Sequence, residues 1–338
     1  MLREQKNQSR SIANPPAYLC LAAMIALLIA TPVGTLAQTP ARLGMLVQEM
    51  GRAQSQAIKG LTEELEKLGY REGKELFSET RNVKGNRAAL QPAAGELLEK
   101  KVDVIFTTGN SATRVASEAT KDTPIVFVYP GNPIGAGIVK SPEERAENLT
   151  GIAAYASQTL EKRLALVRQI VPSAKKIVVF YDLNNSFARD SFKRAASAAK
   201  DIGLESAGYG VKSVEELKTT LASLPGEPGM AIFQVPDELV ESEAEFLFAT
   251  ARAKKLPTMF NEESWVIAGA LAAYGPNYRE MGRQAARLID SIIKGKKPKF
   301  LPLERASKFD LTLNYRTATL IGLKLPPAML KRADKVIR

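Results

Sequence analysis

The stretch 101–140 constrains the fold more than any other part of the chain. Two short apolar runs rich in β-branched residues, 102–106 and 125–128, flank a helix-forming segment at 112–119. Continuous apolar runs of this length read as strands buried on both faces, and two such strands joined through a helix are parallel. Each run ends in small polar residues and glycine. Thr107, Thr108, Gly109, Asn110 and Ser111 follow the first; Tyr129, Gly131 and Asn132 follow the second. In open α/β sheets ligands bind outside the carboxyl ends of the strands. Two such ends, close in sequence, predict one wall of a small-molecule pocket.

The alternation extends both ways. Strands are predicted at 42–47, 76–81 and 149–154. Ala57, Ile58, Leu61, Leu65 and Leu68 fall at helical spacing before Gly69, and Leu90, Ala94, Leu97 and Leu98 mark another helix. The pattern then restarts, with predicted strands at 176–181, 204–209, 229–235, 257–260 and 271–274 separated by helices. Two runs of β and α elements, each of domain size, predict an α/β protein of two similar lobes. The tail reads as a long helix through Met281, Ala285, Leu288, Ile289 and Ile292, strands at 301–303 and 309–313, and closing helices at 317–325 and 326–336. A tail too short for a third domain has to pack on the lobes already present.

The first 37 residues read as a targeting segment. Arg3, Lys6 and Arg10 give a basic start, 17–30 is apolar, and Thr35, Leu36 and Ala37 follow Pro32 and Gly34. The apolar run falls short of the roughly 20 residues of a membrane span. A secretory signal peptide cleaved after Ala37 is expected, and with it a periplasmic protein. Cys20, the only cysteine, lies in that run, so the mature chain offers no thiol, disulfide or thiolate metal site. There is no histidine. Triads built on histidine and all histidine-ligated metal sites are excluded. No cofactor or metal is expected, and an enzyme would have to run on carboxylates, lysine or tyrosine. The targeting segment carries a net charge of +2, so the mature chain keeps +9 of the total +11. The densest basic run, Lys294, Lys296, Lys297 and Lys299, reads as a solvated turn after a helix. Nothing matches a nucleic-acid-reading motif.

Several segments, in order, resemble one family. They are Leu68-Gly69-Tyr70-Arg71-Glu72-Gly73-Lys74, Val102-Asp103-Val104-Ile105, Pro124-Ile125-Val126-Phe127 and Gly131-Asn132-Pro133-Ile134-Gly135-Ala136-Gly137. They continue with Asn148-Leu149-Thr150-Gly151, Tyr274-Gly275-Pro276-Asn277 and Leu325-Pro326-Pro327-Ala328-Met329-Leu330-Lys331-Arg332-Ala333-Asp334. This set resembles the ABC transporter substrate-binding proteins of the tryptophan/tyrosine-type group. The resemblance implies a type I periplasmic-binding-protein fold: two Rossmann-like lobes with parallel sheets, three crossovers, and ligand in the cleft. On that pattern one lobe is 38–154 plus 277–307 and the other 155–276 plus 308–338. The implied protein is a monomer that hands a small organic solute, such as an amino acid or an aromatic carboxylate, to an ABC permease in the inner membrane. A ligand sensor serving a membrane receptor and an exported carboxylate-dependent enzyme are the alternatives. Where the family commonly has Gly-Asp-Pro, this chain has Gly131-Asn132-Pro133. An amide supplies no charge to a ligand ammonium, which leaves Glu49, Asp237 or Glu262 for that role.

Candidate ligand residues are strand-end groups of both lobes. Gln48, Glu49, Gly109, Asn110, Ser111, Tyr129, Asn132 and Tyr155 belong to the first; Asn184, Ser186, Asp237, Glu262 and Tyr274 belong to the second. Asn110 or Ser111 is expected to cap the helix that follows, whose N-terminus also offers N–H groups to a ligand carboxylate. Tyr181, Phe260 and Trp265 join the tyrosines as aromatic candidates for an apolar ligand. Glu262 and Glu263 read as loop charges in solvent rather than as an acid–base pair.

Overall fold

The computed structural model describes residues 39–129, 131–141, 147–155 and 159–338. The expected signal peptide and Cys20 lie outside the described residues. Two sheets organise the chain. The first has the order β11-β5-β4-β3-β1-β2 and is parallel throughout. Its strands are β1 (Ala41–Val47), β2 (Leu76–Asn82), β3 (Val104–Thr108), β4 (Ile125–Tyr129), β5 (Leu149–Ala153) and β11 (Leu303–Arg305). The second has the order β13-β12-β10-β9-β8-β6-β7. It comprises β6 (Lys176–Asp182), β7 (Glu205–Val211), β8 (Met230–Phe233), β9 (Thr258–Phe260), β10 (Ala272–Pro276), β12 (Phe309–Asn314) and β13 (Lys335–Ile337). Only the β10–β12 pair in it is antiparallel. The strands change sheet between β5 and β6, between β10 and β11, and between β11 and β12.

Both sheets are buried on both faces, as continuous apolar strands require. In the first, Leu43, Met45, Phe106 and Val128 face one helical layer while Leu46, Ile105 and Phe127 face the other. In the second, Ile177, Val179 and Phe233 oppose Val178, Phe180 and Ile232 in the same way. The helices of the first half are α1 (Arg52–Lys67), α2 (Leu90–Glu99), α3 (Asn110–Ala119), α4 (Leu160–Ile170) and α5 (Ser186–Asp201). Those that follow are α6 (Val214–Ser223), α7 (Glu238–Ser242), α8 (Ala244–Ala253), α9 (Glu263–Ala268), α10 (Tyr278–Ile293), α11 (Tyr315–Leu320) and α12 (Pro327–Arg332).

The tail departs from expectation at its end. The last helix stops at Arg332, and Lys335–Ile337 forms a strand parallel to β12. Asp334 is the cause. Its N–H donates to the Leu311 carbonyl and its Oδ2 accepts from the Leu311 N–H, both at 2.9 Å, which draws the chain onto the sheet. Lys335, Val336 and Ile337 then extend along an edge.

The most extensive helix packing joins α1 to α10. The two backbones touch. A Cβ on Gly60 would lie 1.8 Å from the Arg279 carbonyl oxygen, and one on Gly282 would lie 1.9 Å from that of Ala57. Charges run alongside the contact. Glu63 accepts from Arg279 and, at 3.4 Å, from Arg283, and Arg287 reaches Glu64 at 3.2 Å. The Arg279 guanidinium holds the Glu63 carboxyl below its ordinary pKa. These exposed pairs orient more than they stabilise. The close glycine contact fixes the distance. Gly282→Ala is expected to lower the unfolding free energy by about 1–3 kcal/mol, read as a lower urea midpoint. Gly95→Ala, on α2 where a Cβ meets nothing within 4 Å, is the control and leaves the midpoint unchanged or slightly raised.

Candidate ligand-binding cleft

Because β1, β3 and β4 are parallel, their carboxyl ends lie along one edge of the first sheet, and a cavity of about 310 Å³ opens there. Gly51 to Gln54 at the start of α1 form one side of it, Thr108 and Gly109 a second, and Val128 and Tyr129 a third. Glu262 and Ser264, just past β9 of the second sheet, and Tyr278, the first residue of α10, complete the wall. The cavity thus draws on both sheets.

Its two sides differ in electrostatic character. On the first-sheet side two helices begin. The N-cap of α1 is Gly51 and that of α3 is Gly109; neither gives a side-chain cap, and neither helix has an acid in its first turn. Free N–H groups and the positive end of the helix dipole therefore face the cavity twice. Thr108 is 7% exposed and its Oγ1 makes no hydrogen bond among the described residues, nor does the buried Oδ1 of Asn110. The expected capping by Asn110 or Ser111 does not occur: Gly109 takes the cap position at φ +81° and Asn110 is already helical. Thr113 instead ties the first turn down, its Oγ1 donating to the Gly109 carbonyl at 2.6 Å.

On the second-sheet side the groups are acidic. The Glu262 carboxylate accepts from the Ser264 hydroxyl at 3.3 Å and from the Tyr278 hydroxyl. It is no solvated loop charge: burial raises its pKa, against the opposing pull of those two donors. Burial, and then the Glu262 charge, push the Tyr278 hydroxyl well above its ordinary value. Glu241, on the short helix α7, is pushed up to about 8, first by burial and next by repulsion from Glu262. Tyr129, across the cavity, is raised by burial, with Arg114 pulling the other way. Glu263 points elsewhere. It pairs with Arg52 of α1 at 3.1 Å and with Lys335 at 2.8 Å, so one ion pair spans the two sides. A second, Arg87–Glu238 at 3.5 Å, spans them at another rim.

A second cavity of about 310 Å³ adjoins the first, sharing Arg52, Ala53, Glu262, Ser264 and Tyr278, and is floored by the chain crossings at Pro276, Asn277 and Lys308.

Of the residues expected from the sequence, Gly109, Tyr129 and Glu262 line the first cavity. Asn110 and Ser111 open α3 beside it. Gln48 and Glu49 lie in the β1–α1 loop, where Glu49 is exposed and the Gln48 carbonyl accepts from Gly85 at 2.8 Å. Asn132 is exposed and closes a turn on the Ile134 N–H at 3.0 Å. Tyr155 has φ +49° and faces the Arg305 guanidinium at 4.8 Å. Asn184 and Ser186 are exposed at the start of α5 and line neither cavity. Asp237 spends both oxygens on backbone N–H groups, those of Val240 at 3.1 Å and Asp182 at 2.9 Å. Tyr274 stacks on Phe309 at 5.9 Å and packs against the second core. Sequence reading missed Arg52, Ser264, Tyr278 and Glu241. Asn277, which caps α10 by accepting from the Glu280 N–H at 2.8 Å, was the available signal for Tyr278: a strand end followed by an N-cap marks a helix start at the sheet edge.

A family model of ABC transporter substrate binding proteins matches residues 45–337. The chain belongs to that family. A tyrosine-binding protein of Clostridioides difficile (strain R20291) is 28% identical over 269 residues, 79% of this chain and 77% of the relative. Among solved structures, a Streptococcus pneumonia ABC domain in complex with L-Trp is 22% identical with a TM-score of 0.73, covering 88% of this chain and 100% of that one. A ligand-free, open substrate-binding protein of Clostridium difficile with adhesive properties is 24% identical with a TM-score of 0.75, covering 88% and 99%. The two structures share the type I periplasmic-binding-protein fold with this chain. The family is one of substrate binders.

The half-buried Glu241 gives a prediction for the ligand-free protein. The folded-state pKa of Glu241 lies above its unfolded value, so its contribution favours folding below about pH 4.5 and is lost as pH rises to about 8. Wild type is expected to lose stability across that window relative to Glu241→Gln, by up to about 1.4 kcal/mol per pH unit. Thermal midpoints of both proteins at pH 5, 6, 7 and 8 check this; parallel curves contradict it.

Proposed function

We propose that this chain binds an aromatic α-amino acid and delivers it, outside the inner membrane, to an ABC permease for import. One observation carries the reading: two uncapped helix N-termini face a half-buried carboxylate across a single cavity of about 310 Å³ with tyrosines in its walls. A zwitterion fits that polarity. Its carboxylate takes the N–H groups at the start of α1 and α3 with Thr108 beside them, and its ammonium takes Glu262. Helix N-termini are ready anion sites, and a carboxylate already holding neutral donors gains a charge-assisted bond when ammonium arrives. The volume is at the small end for ligand pockets, which suits a single amino acid. Tyr129 and Tyr278 offer ring faces to an aromatic side chain. Glu262 takes the part that Asn132 lacks the charge to play.

The name of the tyrosine-binding relative and the L-Trp of the pneumococcal structure support the choice of side chain. The basic and apolar start of the sequence supports export to the periplasm. Binding works by closure: a ligand that touches both sheets favours the closed arrangement, and only that difference in affinity drives it. The Arg52–Glu263 and Arg87–Glu238 pairs hold the two sides together once closed.

Calorimetric titration of the mature protein with L-tyrosine and L-tryptophan tests the reading. At least one is expected to bind and to be recovered unchanged. Glu262→Gln keeps the shape but removes the charge and is expected to weaken binding about tenfold to a hundredfold, the worth of one hydrogen bond to a charged group. If neither amino acid binds, or if Glu262→Gln binds as tightly as wild type, the reading is wrong.

A further inference from the structure

The densest basic run of the sequence, Lys294, Lys296, Lys297 and Lys299, lines neither cavity of the cleft. Helix α10 carries it to the far side of the first sheet. That helix starts at Tyr278 in the cleft wall and runs 16 residues, roughly 24 Å, to Ile293. The first sheet is parallel, so its carboxyl ends meet the cleft and its amino ends form the opposite edge. Both flanks of the run are tied to that edge. Asp290, in the last turn of α10, accepts at 2.9 Å from the hydroxyl of Tyr70, which stands just ahead of β2. The Pro302 carbonyl accepts at 2.8 Å from the hydroxyl of Thr150, near the start of β5.

The turn holds its side chains outward. Pro298 is buried and opens a single tight turn, Pro298–Phe300, and Leu301 behind it is 3% exposed. The N–H groups of Phe300 and Leu301 donate to the Lys297 and Pro298 carbonyls at 3.0 and 2.9 Å. Pinned on both sides, Phe300 is still 66% exposed, the most of any large apolar side chain among the described residues. The Lys299 ammonium lies 5.3 Å from its ring centre. Lys294 pairs with Asp290 at 2.8 Å and Lys299 with Glu147 at 3.1 Å. Lys296 and Lys297 are exposed and pair with no acid among the described residues. More lysine stands along the same edge: Lys100 and Lys101 ahead of β3 and Lys121 ahead of β4, against Glu99 and Asp122. Asp103 is taken up by the Arg42 N–H at 2.7 Å. The chain also enters the sheet on this edge, at Ala41, and only residues 31–40 separate that strand from the apolar run 17–30.

We propose that this edge is a docking face for an anionic phospholipid surface, with Lys296 and Lys297 on the head groups and the Phe300 ring at the boundary of the acyl chains. A turn that served solvation alone has no use for a fixed, exposed ring. An aromatic side chain among unpaired lysines matches a membrane surface in both respects: the head groups supply negative charge and the boundary takes up the ring. Each exposed lysine that reaches such a surface strengthens partition by about fivefold. Two lysines and one ring make a weak contact that is readily reversed. The cleft opens on the other edge, so a docked molecule keeps it free to capture ligand. Chain connectivity and charge favour the same edge, since the segment that leads from the apolar run joins the sheet there. The face owes nothing to the identity of the ligand and goes beyond the amino-acid reading.

Co-sedimentation of the mature protein with vesicles tests this. The vesicles are phosphatidylcholine alone or a mixture rich in phosphatidylglycerol, in about 50 mM or about 500 mM NaCl. Wild type is expected to sediment with the anionic vesicles at low salt and with neither kind at high salt. The double variant Lys296→Gln, Lys297→Gln is expected to weaken partition about twenty-five-fold. Phe300→Ser keeps every charge and is expected to weaken it about tenfold. The pair Lys254→Gln, Lys255→Gln, after α8 beside the second sheet, removes as much charge elsewhere and leaves partition unchanged. Acetic anhydride labelling of wild type, read by mass spectrometry, locates the face without any substitution: anionic vesicles protect Lys296 and Lys297 and leave Lys254 and Lys255 reactive. Absence of binding to the anionic vesicles at low salt overturns the inference, and so does equal protection of the two lysine pairs. Partition of the Lys296, Lys297 variant or of Phe300→Ser equal to wild type overturns it as well. If heparin retains the protein at low salt while the vesicles do not, the face takes a soluble polyanion and no lipid surface.

Discussion

The backbone contact of α1 with α10 at Gly60 and Gly282 is the constraint on which the arrangement depends. Helix α10 follows the last parallel strand of the second sheet, β10, yet it packs on α1 and on the core of the first sheet through Met281, Ala285 and Ile289. Any larger residue at either glycine forces the backbones apart, and interiors this dense do not absorb such a shift. With the helices seated, Tyr278 at the head of α10 stands beside the start of α1, and the segment before it carries the chain from one sheet to the other. The cleft is thus framed on one side by a junction that cannot easily move. Motion, where it comes, belongs to the rest of the interface, where ion pairs such as Arg52–Glu263 are exposed and easily exchanged.

Across that cleft the protein separates charge by two different means. The positive side is built from peptide dipoles, with glycine caps that leave the N–H groups uncovered. The negative side is built from carboxyl groups whose pKa values burial has moved. Leaving helix ends uncapped costs stability, and so does burying acids beside each other. Such costs concentrate at functional sites, where local preferences and the global fold disagree for a reason. Asp237 makes the contrast plain. It is as buried as any acid among the described residues, at 3% exposure, yet both its oxygens are satisfied by backbone donors. Its work is to hold α7 against β6. Glu241, four residues on, takes Gln234 and the Asp237 backbone, yet burial still raises its pKa.

Much of this was legible in the sequence. The parallel β-α alternation followed from apolar runs such as 102–106 and 125–128, because strands buried on both faces have no polar alternation to hide them. Gly109 and Tyr129 followed from the rule that ligands sit at carboxyl ends of strands. What escaped depends on long-range assembly. Glu241 sits among Gln234, Glu262 and Tyr278, which three separate strand ends and a crossover helix bring together. The family resemblance already placed 277–307 with the first lobe, but no local signal marked Tyr278 as a wall of the cleft. Lys335 and Val336 were read as helix because the strand they form depends on a pair of hydrogen bonds between Asp334 and Leu311, 23 residues away. Tyr274 looked like its fellow aromatics at strand ends, and only its contact with Phe309 of the neighbouring β12 shows where its ring goes.

The central claim is that the cleft recognises both charges of one small ligand, each on its own side. Competition calorimetry with three molecules that share a ring tests it most directly: L-tyrosine, tyramine, which lacks the carboxylate, and 3-(4-hydroxyphenyl)propionate, which lacks the ammonium. L-tyrosine is expected to bind at least about tenfold more tightly than either analogue, since each analogue leaves one charged pole without its partner. Binding of the propionate as tightly as L-tyrosine would contradict it, because the Glu262 carboxylate would then contribute nothing to holding the ligand.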